Sequence, residues 1–235
     1  MQKLLQYSPL QAGLGMLPMM VTFAVASFAS GPLYDRLGAK LMVSGGAACL
    51  AIGPFLLSLA GRDAGYTALV PGMIVLGMGL GLFFSSATTA GVAAVASART
   101  SLAGGLIYMF QIAGGSLGLG LTTTVFTASS QSRLSADIAA LGAAATLPQV
   151  RALHGILAGT ETGQQALAQF TVEVAQRLAA IVRDAFAAGF QNGFRLDAAL
   201  AAVSVLVAVL YIGGRARGAV QSADRATPGE ESKGA

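Results

Sequence analysis

The stretch Gly31-Pro-Leu-Tyr-Asp-Arg-Leu-Gly-Ala-Lys40 places three charged residues within ten positions. The sequence on either side of it, 4–30 and 41–61, contains no Asp, Glu, Lys or Arg. An uncharged, mostly apolar helix of about 20 residues is long enough to cross a hydrocarbon core of ~30 Å. The decapeptide is therefore predicted to be a short polar turn between two membrane-spanning helices.

The composition supports a membrane protein. Hydrophobic residues make up 54% of the chain and charged residues 10%, against roughly 25% charged residues in soluble domains, and the mean hydropathy is +0.69. The net charge is +4, but the Lys and Arg residues are scattered between apolar segments, where cations that flank membrane spans are expected. We therefore expect an all-α polytopic membrane helix bundle and no nucleic-acid partner.

The decapeptide has the pattern G-x-x-x-D-R-x-G-x-K, which resembles the signature loop of the major facilitator superfamily of secondary transporters. The resemblance implies roles for Gly31, Asp35, Arg36, Gly38 and Lys40. Glycine would allow close helix approach, the Asp would face the positive N-terminal end of a neighbouring helix, and the Arg and Lys would lie at the cytoplasmic surface. The residues alone also allow a plainer interpretation, in which the two cations anchor the turn and the Asp is solvated.

Five apolar segments are predicted to cross the membrane, namely 9–33, 41–60, 66–92, 102–127 and 194–213. Ser8, Pro9 and Gln11 predict a capping box at the first helix, and Pro18 and Pro54 predict bends. The predicted organisation is four transmembrane helices with a cytoplasmic signature loop 31–40 within 1–127, a long extracytoplasmic loop at 128–192, a last transmembrane helix at 193–214 and a disordered cytoplasmic tail at 215–235.

Apolar residues recur at steps of three or four between Leu167 and Phe190, which predicts an amphipathic helix over 164–190. Either this helix lies at the membrane interface before the last span, or it packs against short helices of the same loop.

The cations of the short loops indicate how the chain is oriented in the membrane. Arg36, Lys40, Arg99, Arg215 and Arg217 lie on one side, and Lys3, Arg62 and Arg195 lie on the other. The first side is therefore predicted to be cytoplasmic.

Two G-x-x-x-G patterns lie in the third and fourth spans, at Gly77 with Gly81 and at Gly114 with Gly118. Such a pattern makes a flat strip on one helix face where another backbone can approach. Because every polytopic bundle needs such strips, we expect packing within the chain here rather than dimerisation.

Polar residues that could line a substrate pathway occur in the same two spans: Tyr108 and Gln111, and Ser85, Ser86, Thr88 and Thr89. Polar side chains inside lipid must face protein or water, so they could either line a cavity or form hydrogen bonds between helices.

The sequence predicts no ionisable residue at the middle of any span. Asp197 and Arg195 are placed at the outer edge of the fifth span. Carboxylates that exchange protons are therefore expected in another part of the intact transporter.

Nothing in the sequence indicates a cofactor, a metal site or an enzyme. Cys49 is the only cysteine and His154 the only histidine, so neither a disulfide nor a His/Cys metal site can form within one chain. An intramembrane enzyme would need paired catalytic groups, such as Ser with His or two Asp at membrane depth, and no such pair is visible.

A finer resemblance is to the C-terminal portion of fourteen-span drug:proton antiporters of the EmrB/QacA type. It is based on the sequence 7–13 that enters the first span, the glycine-rich helices around 71–81 and 104–120, and the long loop before the last span. It implies part of a proton-coupled multidrug efflux transporter of a bacterial inner membrane, which works by alternating access and does not transport alone. The implied partners are the lipid bilayer, an amphipathic drug-like small molecule, protons, and a missing N-terminal half or a separate chain. The alternative is a non-transporting five-span subunit or scaffold that needs a partner chain.

Overall fold

The computed structural model describes residues 8–60, 65–141 and 172–212, and no strand occurs among them. The helices are α1 (Pro9–Gly15), α2 (Leu17–Ser58), α3 (Tyr66–Ala93), α4 (Thr100–Leu141) and α5 (Val172–Tyr211), with a 3₁₀ turn at Ser97–Arg99 before α4. Four helical stretches are long and apolar enough to cross a membrane: Pro9–Ser58, Tyr66–Ala93, Ser97–Ala140 and Gln176–Tyr211. The expected all-α membrane helix bundle is therefore confirmed, and the chain is a multi-pass membrane protein.

The first helix begins with the predicted capping box. The Ser8 hydroxyl accepts a hydrogen bond from the Gln11 backbone N–H at 3.2 Å, and the Gln11 side chain accepts one from the Ser8 N–H at 3.0 Å. The helix then breaks at Met16, between α1 and α2, which places Pro18 in the first turn of a new helix, where proline is well tolerated. Pro54 lies inside α2 without such a break.

The helix α2 is 42 residues long, which at 1.5 Å per residue gives ~63 Å, about twice the hydrocarbon thickness. Gly38 interrupts it with φ +80° and ψ 164°, which divides α2 into a first arm, residues 17–37, and a second arm, residues 39–58. Elsewhere in the decapeptide the backbone is helical. The turn between the two spans is thus confined to Gly38, shorter than the loop predicted over 31–40.

The two arms of α2 run in opposite directions along α3. From its start, the first arm meets α3 in ascending order: Met19 beside Gly77, Phe23 beside Gly81 and Ser30 beside Ser85. The second arm meets it in descending order: Gly46 beside Phe83, Gly53 beside Leu76 and Leu57 beside Gly72. The helix α2 is therefore a hairpin, and the chain makes five apolar passes. We call the two ends of this bundle the Gly38 end and the Ala60 end.

The helices α4 and α5 pack against each other as an antiparallel pair. Each is 40 residues or longer, or at least ~60 Å, so both continue beyond the ~30 Å that a membrane needs. The part beyond the Ala60 end, residues 128–141 of α4 and 172–190 of α5, is called the α4–α5 extension. The predicted boundaries at 127 and 193 are therefore not helix ends, because both helices continue through them.

Apolar packing holds the extension together. Leu134 of α4 is 0% exposed, and it forms a buried cluster with Leu178, Val182 and Ala185 of α5. These α5 residues belong to the apolar stripe of the predicted amphipathic helix. Over its described part the stripe packs against α4 at Leu134, which belongs to the segment 128–192 predicted as a loop. Short helices elsewhere in that loop would lie outside the described residues, so packing against them stays a prediction.

Several predictions concern residues outside those that the structure describes. They are the start of the amphipathic helix at 164, the position of His154 and the tail 215–235. They stay predictions.

Candidate functional site

The charged residues of the decapeptide 31–40, which we call the signature turn, are exposed. Asp35 and Arg36 lie in the last turn of the first arm of α2, and Lys40 lies at the start of the second arm. Within the part of the chain that the structure describes, none of the three side chains has a hydrogen bond or an ion pair. The contact of Asp35 with the N-terminus of a neighbouring helix, implied by the resemblance, is therefore not formed among these residues.

The two glycines of the turn have different surroundings from those that the resemblance implies. A Cβ added to Gly31 or to Gly38 would have no atom within 4 Å, so close helix approach is not found at either position among the described residues. Gly38 instead has a positive φ, which residues with a Cβ rarely adopt. Glycine is therefore needed at position 38 for its positive φ and not for helix packing.

The two G-x-x-x-G patterns differ in their contacts. A Cβ on Gly81 would lie 2.6 Å from the Phe23 carbonyl oxygen, and one on Gly77 would overlap the Met19 carbonyl oxygen. Glycine there lets the first arm of α2 contact the α3 backbone directly. Gly114 and Gly118 have nothing within 4 Å, so the packing predicted for them has no counterpart in the described residues.

Two of the polar residues proposed for a pathway form hydrogen bonds between helices. The Ser30 hydroxyl donates to the Ser85 hydroxyl at 2.5 Å, which joins α2 to α3. The Gln111 amide donates to the Thr88 hydroxyl at 3.4 Å, which joins α4 to α3. Tyr108 is 66% exposed. Hydrogen bonds between helices therefore account for Ser85 and Gln111.

Two other hydroxyls of this set form no hydrogen bond to another helix among the described residues. Ser86 is buried, and its hydroxyl has no hydrogen-bond partner among the described residues. The Thr89 hydroxyl donates to the Ser85 carbonyl oxygen of the same helix at 2.9 Å.

A cavity of about 230 Å³ lies between α4 and α5, and we call it the α4–α5 cavity. The residues that line it include Thr122, Phe126, Phe190, Gly193, Phe194 and Asp197. The Thr122 hydroxyl donates a hydrogen bond to the Asp197 carboxylate at 2.5 Å. Aromatic rings form much of the remaining wall, so the carboxylate faces an apolar space.

Asp197 lies deeper than its predicted position at the outer edge of a span. The Gln191 side chain donates to the Ala60 carbonyl oxygen at 3.1 Å, which fixes the level of Gln191 at the Ala60 end of the bundle. Asp197 is six residues farther along α5, about 9 Å toward the Gly38 end. From there to Tyr211 the helix continues for about 21 Å without a charged residue.

No cation among the described residues neutralises the charge of Asp197. Within residues 8–60, 65–141 and 172–212, Asp197 forms no ion pair with Lys or Arg, and Thr122 is its side-chain partner. Arg195 is exposed, and its guanidinium donates back to the Asn192 side chain at 3.4 Å, toward the Ala60 end.

Sequence reasoning missed this site because the last span was assumed to begin near its charged residues. One signal was available. Counting 21 residues back from Tyr211, at 1.5 Å each, gives ~30 Å and begins the span at Gln191. This count places Asp197 six residues inside the last span.

The sequence is similar to those of curated drug-resistance proteins. It is 30% identical over 130 residues to the Multidrug resistance protein B homolog of Mycobacterium tuberculosis, and 30% identical over 131 residues to the Puromycin resistance protein pur8 of Streptomyces alboniger. It is 31% identical over 127 residues to the Drug efflux pump JefA of Mycobacterium tuberculosis. Each match covers 54% of this chain and 24 to 26% of the relative. No protein-family model matches the chain.

Proposed function

We propose that this chain is the C-terminal part of a secondary active transporter of the major facilitator type, which exports drug-like small molecules in exchange for protons. One observation carries the proposal: the similarity to proteins named for multidrug resistance and drug efflux. The hairpin of α2 supports it, because its turn falls inside the G-x-x-x-D-R-x-G-x-K pattern.

The proposed mechanism is alternating access, in which two groups of helices rock about a site near the middle of the bilayer. The Gly38 end faces the cytoplasm and the α4–α5 extension faces outward from a bacterial inner membrane. Asp35 and Arg36 act at the gate that holds the cytoplasmic side shut. Their exposure leaves both side chains available to residues beyond those described.

We infer that this transporter contains helices besides those described. The chain matches only about a quarter of each relative's length. The helix α4 also has an open surface, because none of the residues in its most apolar stretch is buried. Additional helices, from a longer chain or from a separate partner chain, pack against this surface of α4 and complete the transport pathway.

The test is removal of the Asp35 charge in cells that carry the gene for this protein. Asp35→Asn should reduce export of a fluorescent amphipathic dye such as ethidium by about fivefold, because loss of a charge contact at a helix end is worth about 1 kcal/mol. The amount of protein in the membrane should not change. Dye accumulation measured by fluorescence gives the export rate.

The matched control is Asp137→Asn. This change removes a carboxylate that pairs with Arg133 at 3.4 Å on the α4–α5 extension, far from the turn. Export should stay at the wild-type rate. Normal export by Asp35→Asn would contradict the gating role, and unchanged accumulation after deletion of the gene would contradict the transport function itself.

A further inference from the structure

We propose that α1 is a hinged segment, which swings about Met16, and that the Tyr66 hydroxyl is the latch that holds it in the observed position. The device lies at the Ala60 end of the bundle. In the orientation proposed above it acts on the outer side of the membrane, and only this assignment of side rests on the proposed function. The device shares no residue with the signature turn or with the α4–α5 cavity.

The break at Met16 removes the backbone hydrogen bonds that make a helix stiff. Met16 lies between Gly15, the last residue of α1, and the first turn of α2. Its N–H bonds to the Gly13 carbonyl oxygen at 3.0 Å, three residues back rather than four. Pro18 has no N–H to donate to the Leu14 carbonyl oxygen, four residues before it. The helical hydrogen-bond ladder is therefore interrupted, and helices bend at such interruptions.

The first arm of α2 is fixed to α3 close to this break. A Cβ on Gly77 would overlap the Met19 carbonyl oxygen, and one on Gly81 would lie 2.6 Å from the Phe23 carbonyl oxygen. Backbones in such close contact cannot separate or slide without losing packing along the whole contact. From Met19 onward, the first arm and α3 therefore behave as one unit.

The packing of α1 is much weaker than that of the first arm. Among its seven residues only Gly15 is buried, whereas Leu10 is 73% exposed and Leu14 is 55% exposed. Because these leucines have little contact with the rest of the bundle, packing gives α1 only a weak preference for one position.

Tyr66 supplies a specific contact across the break. It is the first residue of α3, and its hydroxyl donates a partly buried hydrogen bond to the Gly15 carbonyl oxygen at 3.1 Å. This carbonyl belongs to the peptide unit that joins Gly15 to Met16, so a rotation at the hinge turns it away from Tyr66. A neutral hydrogen bond of this kind gives a preference of about fivefold, or about 1 kcal/mol. The latch therefore selects one position of α1, yet thermal motion can release it.

The experiment measures distances between two nitroxide labels by double electron–electron resonance. It uses the complete 235-residue chain in lipid nanodiscs, in a Cys49→Ala background. The test pair, Leu10→Cys with Ser132→Cys, joins α1 to the α4–α5 extension. The control pair, Val25→Cys with Ser132→Cys, joins the fixed part of the first arm to the same reference. All three labelled positions are exposed.

Tyr66→Phe removes the hydroxyl and keeps the ring. With Tyr66 in place, we expect one dominant distance for the test pair. Tyr66→Phe should populate a second distance and raise the ratio of the second population to the first by about fivefold, while the control pair keeps its distance. Tyr211→Phe removes a hydroxyl that is remote from α1, on a tyrosine that is 82% exposed at the Gly38 end. It should leave both pairs unchanged.

Pro18→Ala tests the hinge. Alanine supplies the missing N–H and favours a continuous helix, so its addition to Tyr66→Phe should return the second population to about the level seen with Tyr66 in place. Unchanged distances in Tyr66→Phe would overturn the latch. A second population that persists in the double variant would overturn the hinge at Met16, and an equal change in the control pair would overturn a motion confined to α1.

None of these measurements depends on export. Two distances for the test pair in a protein that exports no dye would contradict the transport function alone. Normal dye export together with unchanged distances in Tyr66→Phe would contradict the latch alone.

Discussion

Gly38 reverses the chain with φ +80° and ψ 164°, a conformation that is nearly exclusive to glycine. Gly38→Ala should therefore destabilise the protein by about 1 to 3 kcal/mol, even though a Cβ would meet no atom within 4 Å. The cost arises from the backbone alone. Thermal unfolding of the purified protein in detergent measures it.

The control is Gly31→Ala. Gly31 is equally uncrowded but lies in regular helix, so the change should be neutral or should stabilise by about 0.5 to 1 kcal/mol through reduced backbone entropy of the unfolded chain. Equal unfolding temperatures for the two variants would show that Gly38 does not need its positive φ.

At the residue scale, the sequence predicted some environments and missed others. The capping pattern at Ser8 and Gln11 depends on local spacing alone, and it was predicted correctly. Gly77 and Gly114 each begin a G-x-x-x-G pattern, yet of these two only Gly77 contacts another helix among the described residues. A motif defines the shape of one helix surface, whereas the partner of that surface depends on tertiary packing.

At the scale of elements, Leu134 is the centre of the buried cluster in the α4–α5 extension. Leu134→Ala should destabilise the extension by about 2 to 5 kcal/mol, because it removes buried methyl groups and leaves a cavity. Hydrogen exchange measured by mass spectrometry should show faster exchange in residues 130–141 and 176–190.

Leu117→Ala is the matched control, since Leu117 lies on the same helix and is 71% exposed. Its effect should remain within about 0.5 kcal/mol. Unchanged exchange in Leu134→Ala would mean that the two helices do not depend on each other in the extension.

The lengths of α4 and α5 were the largest error at this scale. The predicted ends at 127 and 194 followed the change from apolar to mixed composition, which indicates where lipid contact ends. The helices continue because the stripe with Leu178 and Val182 packs against Leu134 beyond the Ala60 end. An amphipathic stripe looks the same in sequence whether it faces lipid headgroups or another helix.

At the scale of the whole molecule, the orientation can be tested with single cysteines in a Cys49→Ala background. Ser132 is exposed on the extension, and Ser97 is exposed near the Gly38 end. In intact cells, a membrane-impermeant maleimide should label Ser132→Cys but not Ser97→Cys. Ser97→Cys should become reactive only after the membrane is permeabilised.

The opposite labelling pattern would contradict the proposed orientation and would place the signature turn outside the cell. Labelling of both cysteines in intact cells would contradict a bilayer between them. Immunoblotting for each variant controls for the amount of protein in the membrane.

The sequence was sufficient to predict an all-helical bundle with five apolar passes, since uncharged segments of membrane length leave few alternatives. The arrangement of the passes was not predictable in this way. The contacts of α3 with both arms of α2 depend on the pairing of Gly46 with Phe83 and of Gly81 with Phe23, and apolar helices offer many such pairings of similar composition.

The unbroken backbone of α4 has a mechanical consequence. Between Thr100 and Leu141 the helix has no interruption. The part inside the bundle and the part in the α4–α5 extension therefore move together as one rigid helix. Residues 128–141 extend for about 21 Å, and a tilt of roughly 10° about the Ala60 end would displace the far tip by roughly 4 Å. A tilt of the part of α4 inside the bundle is thereby transmitted to the tip of the extension without a hinge.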